Sequence, residues 1–244
     1  MKNTFPQRFG LFLGLAALMA VSVGAQSPPD VCAQPEYTTG DFLQDGVPCP
    51  AQGLSGDFIL NRLKNRDLLP DSLKPEVLTI SDILAYVPKV ASQQPPSVFR
   101  RDWPQKARDE VQDWECQPTV VEGYLVHRNI EGAEACNCRT TQPPYVDLHI
   151  FLIESLKDCT PQGCPRDQAL VIEITPRLFA QHPTWTPDFI NQLAQQRAYV
   201  RVTGWRMWDP EHPDQLGQTR GTLWEIHPVH KLEVLQEDGT WLEV

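Results

Sequence analysis

From Tyr145 to Glu154 aliphatic side chains recur at every second position. Val146, Leu148, Ile150 and Leu152 fall on one face, and Asp147, His149 and Phe151 on the other. A period of two is that of a β-strand, and the aliphatic face of such a strand must lie on a core. The pattern returns in Ala169 to Thr175, where Leu170, Ile172 and Ile174 oppose Val171, Glu173 and Thr175. Thr119 to His127, Ala198 to Met207 and Leu223 to Val234 also read as strands. Between the third and fourth strands, Thr186-Pro187-Asp188 supplies a capping hydroxyl, a first-turn proline and an acid suited to a helix start, with the helix running to about Gln196. The order β-β-β-α-β-β predicts a mainly β protein with α: a five-stranded OB-like Greek-key barrel over residues 115–244.

The chain ahead of the barrel has a different texture. Residues 26–114 are rich in Pro, Asp and Gln and predict a partly helical, irregular extension without alternating strands. Asp57 to Arg66 forms one expected helix, with Phe58, Leu60 or Ile59, and Leu63 inward and basic residues opposite. A second starts after Ser81 as cap, turns Ile83, Leu84 and Val87 inward and stops at Pro88. Pro95-Pro96 marks a linker, and Arg108 to Trp114 a further helical turn or two. Arg62, Lys64 and Arg66 form a candidate local basic patch.

Residues 1–25 read as a signal peptide. Lys2 and Arg8 precede an apolar run from Leu11 to Val23, and Val23-Gly24-Ala25 offers small residues before a cut at Gln26. The run is shorter than the ~20 residues a spanning helix needs, and no later segment is apolar enough to span a membrane. Export to the periplasm or beyond is the expectation. Losing Lys2 and Arg8 takes the formal charge from −10 to −12, which opposes a general nucleic-acid binder. All 7 cysteines, Cys32, Cys49, Cys116, Cys136, Cys138, Cys159 and Cys164, lie beyond the cut, and in an oxidising compartment they read as disulfide formers. Cys159 with Cys164 is a natural local pair, Cys32 with Cys49 could staple the N-terminal tail, and Cys116 could join Cys136 or Cys138, leaving one thiol over.

Four strings carry a resemblance: Cys136-Asn137-Cys138, Asp147-Leu148-His149-Ile150, Val202-Thr203-Gly204 and Trp224-Glu225-Ile226-His227-Pro228-Val229. In that order they resemble a family of uncharacterised secreted bacterial proteins with an OB-like barrel. The Leu60 to Arg66 stretch is similar to a segment ahead of the barrel in some members. The resemblance implies the fold and the compartment, and no activity.

With the even positions of the second strand assigned to the core, Asp147 and His149 point outward, and Glu173 does so on the neighbouring strand. A carboxylate, an imidazole and a second carboxylate can hold a divalent cation or move protons, so these three are candidate catalytic and metal-ligating residues. The plainer reading of the same three residues, and the one placed first, is a solvated polar face. Candidate ligand-binding residues gather near the last two strands: Trp205, Arg206 and Trp208; Asp209 and His212 in the loop; Glu225 and His227 on the final strand. Glu225 and His227 could instead be a buried pair with Arg220 as charge partner, and Pro228 implies an edge or a bulge. Arg201 with Arg206 could meet an anion. The chain has no G-x-S-x-G elbow, no phosphate-cradling glycine loop and no H-E-x-x-H helix. The leading expectation is therefore an exported OB-like binding module for a carbohydrate, a peptide or an envelope protein. The alternative is a metal-dependent secreted hydrolase or phosphodiesterase built on Asp147, His149 and Glu173.

Overall fold

The structure, a computed structural model, describes residues 37–44, 46–54, 56–89, 99–141 and 144–244. The signal peptide, Cys32 and the Pro95-Pro96 linker lie outside the described residues.

The five expected strands are β4 (Pro118–Ile130), β5 (Leu148–Ile153), β6 (Leu170–Ile174), β7 (Tyr199–Trp208) and β8 (Trp224–Leu235). They run in the order β4-β5-β6-β8-β7, and β7 returns to pair with β4, so the five close into a barrel. β4 does this by serving two neighbours: its first half pairs with β7 and its second half with β5. β6 and β8 run parallel and the remaining barrel pairs antiparallel, an arrangement consistent with an OB-like barrel. Leu148, Ile150, Leu152, Leu170, Ile172 and Ile174 all enter the main core, as the alternation requires.

Helix α5 (Pro187–Gln196) starts as its sequence dictates. Thr186 accepts from the Phe189 amide at 3.1 Å, Pro187 takes the first turn, and Ile190 and Leu193 enter the core. Helix α4 (Pro176–Gln181) precedes it, and β9 (Trp241–Glu243) pairs with β8.

The region before the barrel packs on it, through helices α1 (Phe58–Lys64), α2 (Ile80–Ala85) and α3 (Gln105–Glu115). It also holds three short strands that the sequence pattern did not announce: β1 (Phe42–Gln44), β2 (Val47–Cys49) and β3 (Glu76–Leu78). β1 and β2 form a hairpin, and β3 adds to β4 in parallel. At three residues each, none carries a readable alternation. Leu60 and Leu63 of α1 bury against Met207, while Phe58 is exposed and Asp57 caps the helix. Thr79, not Ser81, caps α2, because its hydroxyl and Asp82 close a reciprocal capping box. Ile83 is buried, while Val87, past the helix end, is exposed.

Trp208 and Trp224 are core residues, and Trp205 is buried. Trp224 lies between Trp114, Trp208 and Tyr86, and its indole N–H donates to the Tyr86 carbonyl at 3.0 Å. Trp205 sits apart from them, under the Arg66 guanidinium at 4.7 Å and donating to the Leu68 carbonyl at 3.1 Å. Of the two readings the sequence allows for Trp205, Trp208 and Trp224, a ligand-binding mouth or a place in the core, burial of all three removes the first, and Trp208 and Trp224 join the core. Arg206 is likewise buried and pairs with Glu76 at 2.9 Å. Arg201 pairs with Glu122 at 2.8 Å. The basic patch is dissolved too: Arg66 donates to the carbonyls of Leu63, Glu115 and Arg206, and Lys64 is buried among acids.

Pro228 lies within β8, which is paired on both sides, so the bulge expected of it is the outcome. Pairing between β7 and β8 slips around Gly204, opposite Val229. A Cβ on Gly204 would meet the Pro228 carbonyl oxygen at 2.4 Å and the Ile226 Cγ2 at 2.6 Å. Gly204→Ala is therefore expected to lower unfolding stability by roughly 1–3 kcal/mol through overpacking. Gly132→Ala, with nothing within 4 Å of the added carbon, serves as the neutral control in the same denaturant titration. Equal stability of the two variants would refute the close approach.

Candidate functional site

Three strands of the barrel present their outer faces side by side. His149 on β5 stands opposite Glu173 on β6, and β6 aligns Val171 with Glu225 of β8, which sets Glu225 and His227 next in the row. Further along the same strip Phe151, Val171, Ile153 and Ala169 form an apolar cluster with Leu156, Cys159 and Cys164. The outer face thus changes from apolar to charged along its length.

The face assignment of Asp147, His149 and Glu173 holds, but the expected solvation does not. Asp147, Glu173, Glu225 and His227 are each 1 % exposed or less. They are covered by a piece of chain whose anchors are visible in the bonding. The Cys49–Cys138 disulfide pins the 131–139 segment to the β1–β2 hairpin, and Asn65 at the end of α1 donates to the Cys136 carbonyl at 3.0 Å. Lys64 reaches from α1 to Glu134 at 2.7 Å and Glu211 at 2.9 Å. Cys49 is thereby committed to Cys138 and not to Cys32. Cys116 is also in a disulfide, but with neither Cys136 nor Cys138, since Cys136 is a buried free thiol. Cys159 and Cys164 form the expected local pair.

Beneath this cover runs a chain of charges. Glu131 lies 3.1 Å from His149 Nδ1, and His149 Nε2 lies 2.5 Å from Glu173 Oε1. Glu173 Oε2 lies 2.8 Å from His227 Nδ1, which is 3.6 Å from Glu225 Oε2. Glu225 Oε1 receives Arg220 at 2.5 Å, Arg220 reaches Asp209 at 3.2 Å, and Asp209 holds His212 Nδ1 at 2.6 Å. The expected Arg220 partnership of Glu225 is therefore present. Asp209 and His212 belong to the same cluster, while Trp205, Trp208 and Arg206 lie outside it. Glu131 and Glu134 join it with no warning beyond their place in an irregular acidic stretch, while Cys136, expected to form a disulfide, joins it as a free thiol.

The close approaches around Glu173 are not aligned hydrogen bonds. Among the described residues, His149 Nε2, Glu173 Oε2 and both nitrogens of His227 are buried without a hydrogen-bond partner of proper geometry, as is Asp147 Oδ1. Asp147, Glu173 and His227 each bring a donor atom within 4.8 Å of the other two. Ligands of a cation bound at ~2.0–2.2 Å sit roughly 3 Å apart and aim at a common point rather than at one another. A spacing within 4.8 Å leaves room for that arrangement.

The surface above the cluster is a cleft of about 470 Å³ whose walls include Asn61, Glu131, Glu134, Arg139, Glu211 and His212. Glu131 and His212 connect it to His149: the first by its carboxylate, the second by ring packing at 6.0 Å. His212 is half-buried, with Nδ1 on Asp209, and that hydrogen bond raises its pKa above the ordinary histidine value.

Electrostatics follow from burial and neighbours. Burial alone would lower both buried imidazoles, yet Glu173 between them lifts His149 to about 9 and His227 to about 10. Burial would raise Glu173, but the two histidines hold it well below the usual carboxylate range. Asp147 rises to about 7 from burial and the nearby Glu134, and Glu225 to about 7 from burial and Glu173.

No protein-family model matches the chain, and no curated protein matches it.

These shifts fix a sign for the cation-free protein. Asp147, Glu225, His149 and His227 hold their protons to higher pH when folded than the ordinary ~4 and ~6.5 of an unfolded chain. Between about pH 4 and about pH 10 the folded state thus carries more protons on these four groups, and their contribution to stability falls as pH rises through that window. Glu173 works the other way, its contribution present above the ordinary carboxylate pKa and lost on strong acidification. Thermal unfolding in EDTA is expected to give a lower Tm at about pH 9 than at about pH 6. A Tm that rises over that interval would contradict the cluster's electrostatics.

Proposed function

We propose that this chain is an exported metal-dependent hydrolase that holds a divalent cation between Asp147, Glu173 and His227. The observation that carries this reading is the convergence of three fully buried side chains whose donor atoms lie within 4.8 Å of one another, with Asp147 Oδ1 and His227 Nε2 lacking a hydrogen-bond partner among the described residues. Unpaired buried polar atoms are costly, and a cation, bound as the His227 ring gives up a proton to solvent, is a partner that a ring nitrogen and two carboxylates share well. Export is supported by the Cys49–Cys138 and Cys159–Cys164 disulfides, which suit an oxidising compartment. No helix among the described residues is long and apolar enough to cross a membrane.

A cation so held would polarise an ester or phosphoryl oxygen and acidify a water. The chain's own residues supply the rest. Glu131 and Glu173 flank the two nitrogens of His149 and fix its ring. Asp209 fixes Nδ1 of His212, which leaves Nε2 free of hydrogen bonds to described residues and able to carry a proton at the cleft. Three acids, Glu131, Glu134 and Glu211, face the cleft against one Arg139, so short esters suit it better than a polyanion. The binding-module expectation, the leading one from the sequence, loses one of its supports, the aromatic mouth, with the burial of Trp205, Trp208 and Trp224. A purely structural network is the second reading, favoured by the balance of Glu173 between two cationic imidazoles.

Protein stripped with EDTA and then titrated with zinc or manganese is expected to bind the cation and gain thermal stability. It should then hydrolyse p-nitrophenyl acetate or bis(p-nitrophenyl) phosphate. Asp147→Ala should abolish cation uptake, and His212→Gln should leave uptake intact while lowering turnover by roughly 100-fold or more. Absence of uptake would favour the structural network. Activity untouched by both EDTA and Asp147→Ala would overturn the hydrolase.

A further inference from the structure

We infer that Asp147 is a bridging carboxylate and that a second cation site, containing a thiolate, lies beside the first at Glu134, Cys136 and Asp147. The inference rests on the metal reading above and extends it to a two-cation centre. Glu134, Cys136 and Asp147 each bring one ligand atom within 4.8 Å of the others, and Asp147 belongs to both groups. Cys136 Sγ lies 3.3 Å from Glu134 Oε2 and 3.8 Å from Asp147 Oδ2. Asp147 Oδ1 is fully buried and has no hydrogen-bond partner among the described residues. One carboxylate can offer an oxygen to each of two cations, and hydrolytic two-metal centres hold them ~3.5–4 Å apart.

The thiol is the unusual member. Cys136 is buried and reduced although its neighbour Cys138 is oxidised to Cys49. A buried thiol is an ordinary small hydrophobe, but this one is set among carboxylates, where an apolar role has little use for it. Burial, with Glu134 and Asp147 close by, keeps it protonated without a cation. A soft divalent cation of the zinc class would bind as the thiol proton leaves to solvent, and the thiolate would select it over magnesium or calcium.

Lys64 now balances Glu134 at 2.7 Å, and it also holds Glu211 at 2.9 Å. It can keep Glu211 when a cation takes its place on Glu134. Lys64 is therefore a built-in competitor for the second site, and its removal should strengthen that site.

The test is stoichiometry on the whole oxidised chain, stripped with EDTA and titrated with zinc by calorimetry and elemental analysis. Cobalt(II) is added in parallel to read thiolate ligation by its ligand-to-metal charge-transfer absorption. Two zinc equivalents, a cobalt–thiolate band, one equivalent in Cys136→Ser and tighter second binding in Lys64→Gln are the expected results. One equivalent without the band would overturn the second site and leave the first standing. One equivalent with the band would overturn the bridging role of Asp147 and the first site together. No uptake would remove both. If Cys136→Ser does not fold, the band in the unaltered chain decides the thiolate's part.

Discussion

Taking a carboxylate out of water costs several kcal/mol unless opposite charge meets it at once. Glu173 satisfies that condition because β6 lies between β5 and β8, so that His149 and His227 arrive from either side. The placement depends on the whole barrel. Only the order β4-β5-β6-β8-β7, closed by β4 against β7, sets a strand from the middle of the chain beside one from its end. The charged strip in turn makes the rest of the chain necessary. A row of ionisable groups on an outer face stays buried only if something covers it, and here α1 and the 131–139 segment do so with their own charges, Lys64, Glu131 and Glu134.

The barrel was legible because its information is local. Alternation fixes which residues of a strand face the core, whatever the neighbours, and Leu148, Ile150, Leu152, Leu170, Ile172 and Ile174 are found where the period of two puts them. The cap at Thr186 and the bulge at Pro228 follow for the same reason, each set by the chemistry of one or two residues. Part of the candidate site was legible by the same rule, since parity puts Asp147, His149 and Glu173 on the outer face, and the Glu225–Arg220 pair was legible from its local spacing.

What the sequence concealed is everything that depends on distant chain segments. Parity tells that a side chain leaves the core but not whether it reaches water, and the covering segments have no period of their own. Lys64 looked like part of a surface patch because a helix wheel shows its sector and not the acids of residues 134 and 211. The tryptophans looked like a ligand platform because aromatic residues suit a barrel mouth and a core equally, and Tyr86 and Trp114, which settle the matter for Trp224, come from far upstream. Cysteine pairing fails for the same cause: nearness in sequence finds Cys159 with Cys164, while Cys49 and Cys138 are separated by 89 residues.

The Cys49–Cys138 bond has a kinetic consequence. It makes a closed loop of everything from the hairpin to the covering segment, α1 and its lysine included. A cover tied in this way cannot drift off when its weak contacts break; it swings and returns, because its effective concentration over the strip stays high. The contacts that hold this cover down over Glu173 include those of Lys64 and Asn65, and their breaking is a local event that does not require global unfolding. Whatever sits among those buried charges would be gained and released at the pace of that breathing, far slower than diffusion through an open cleft.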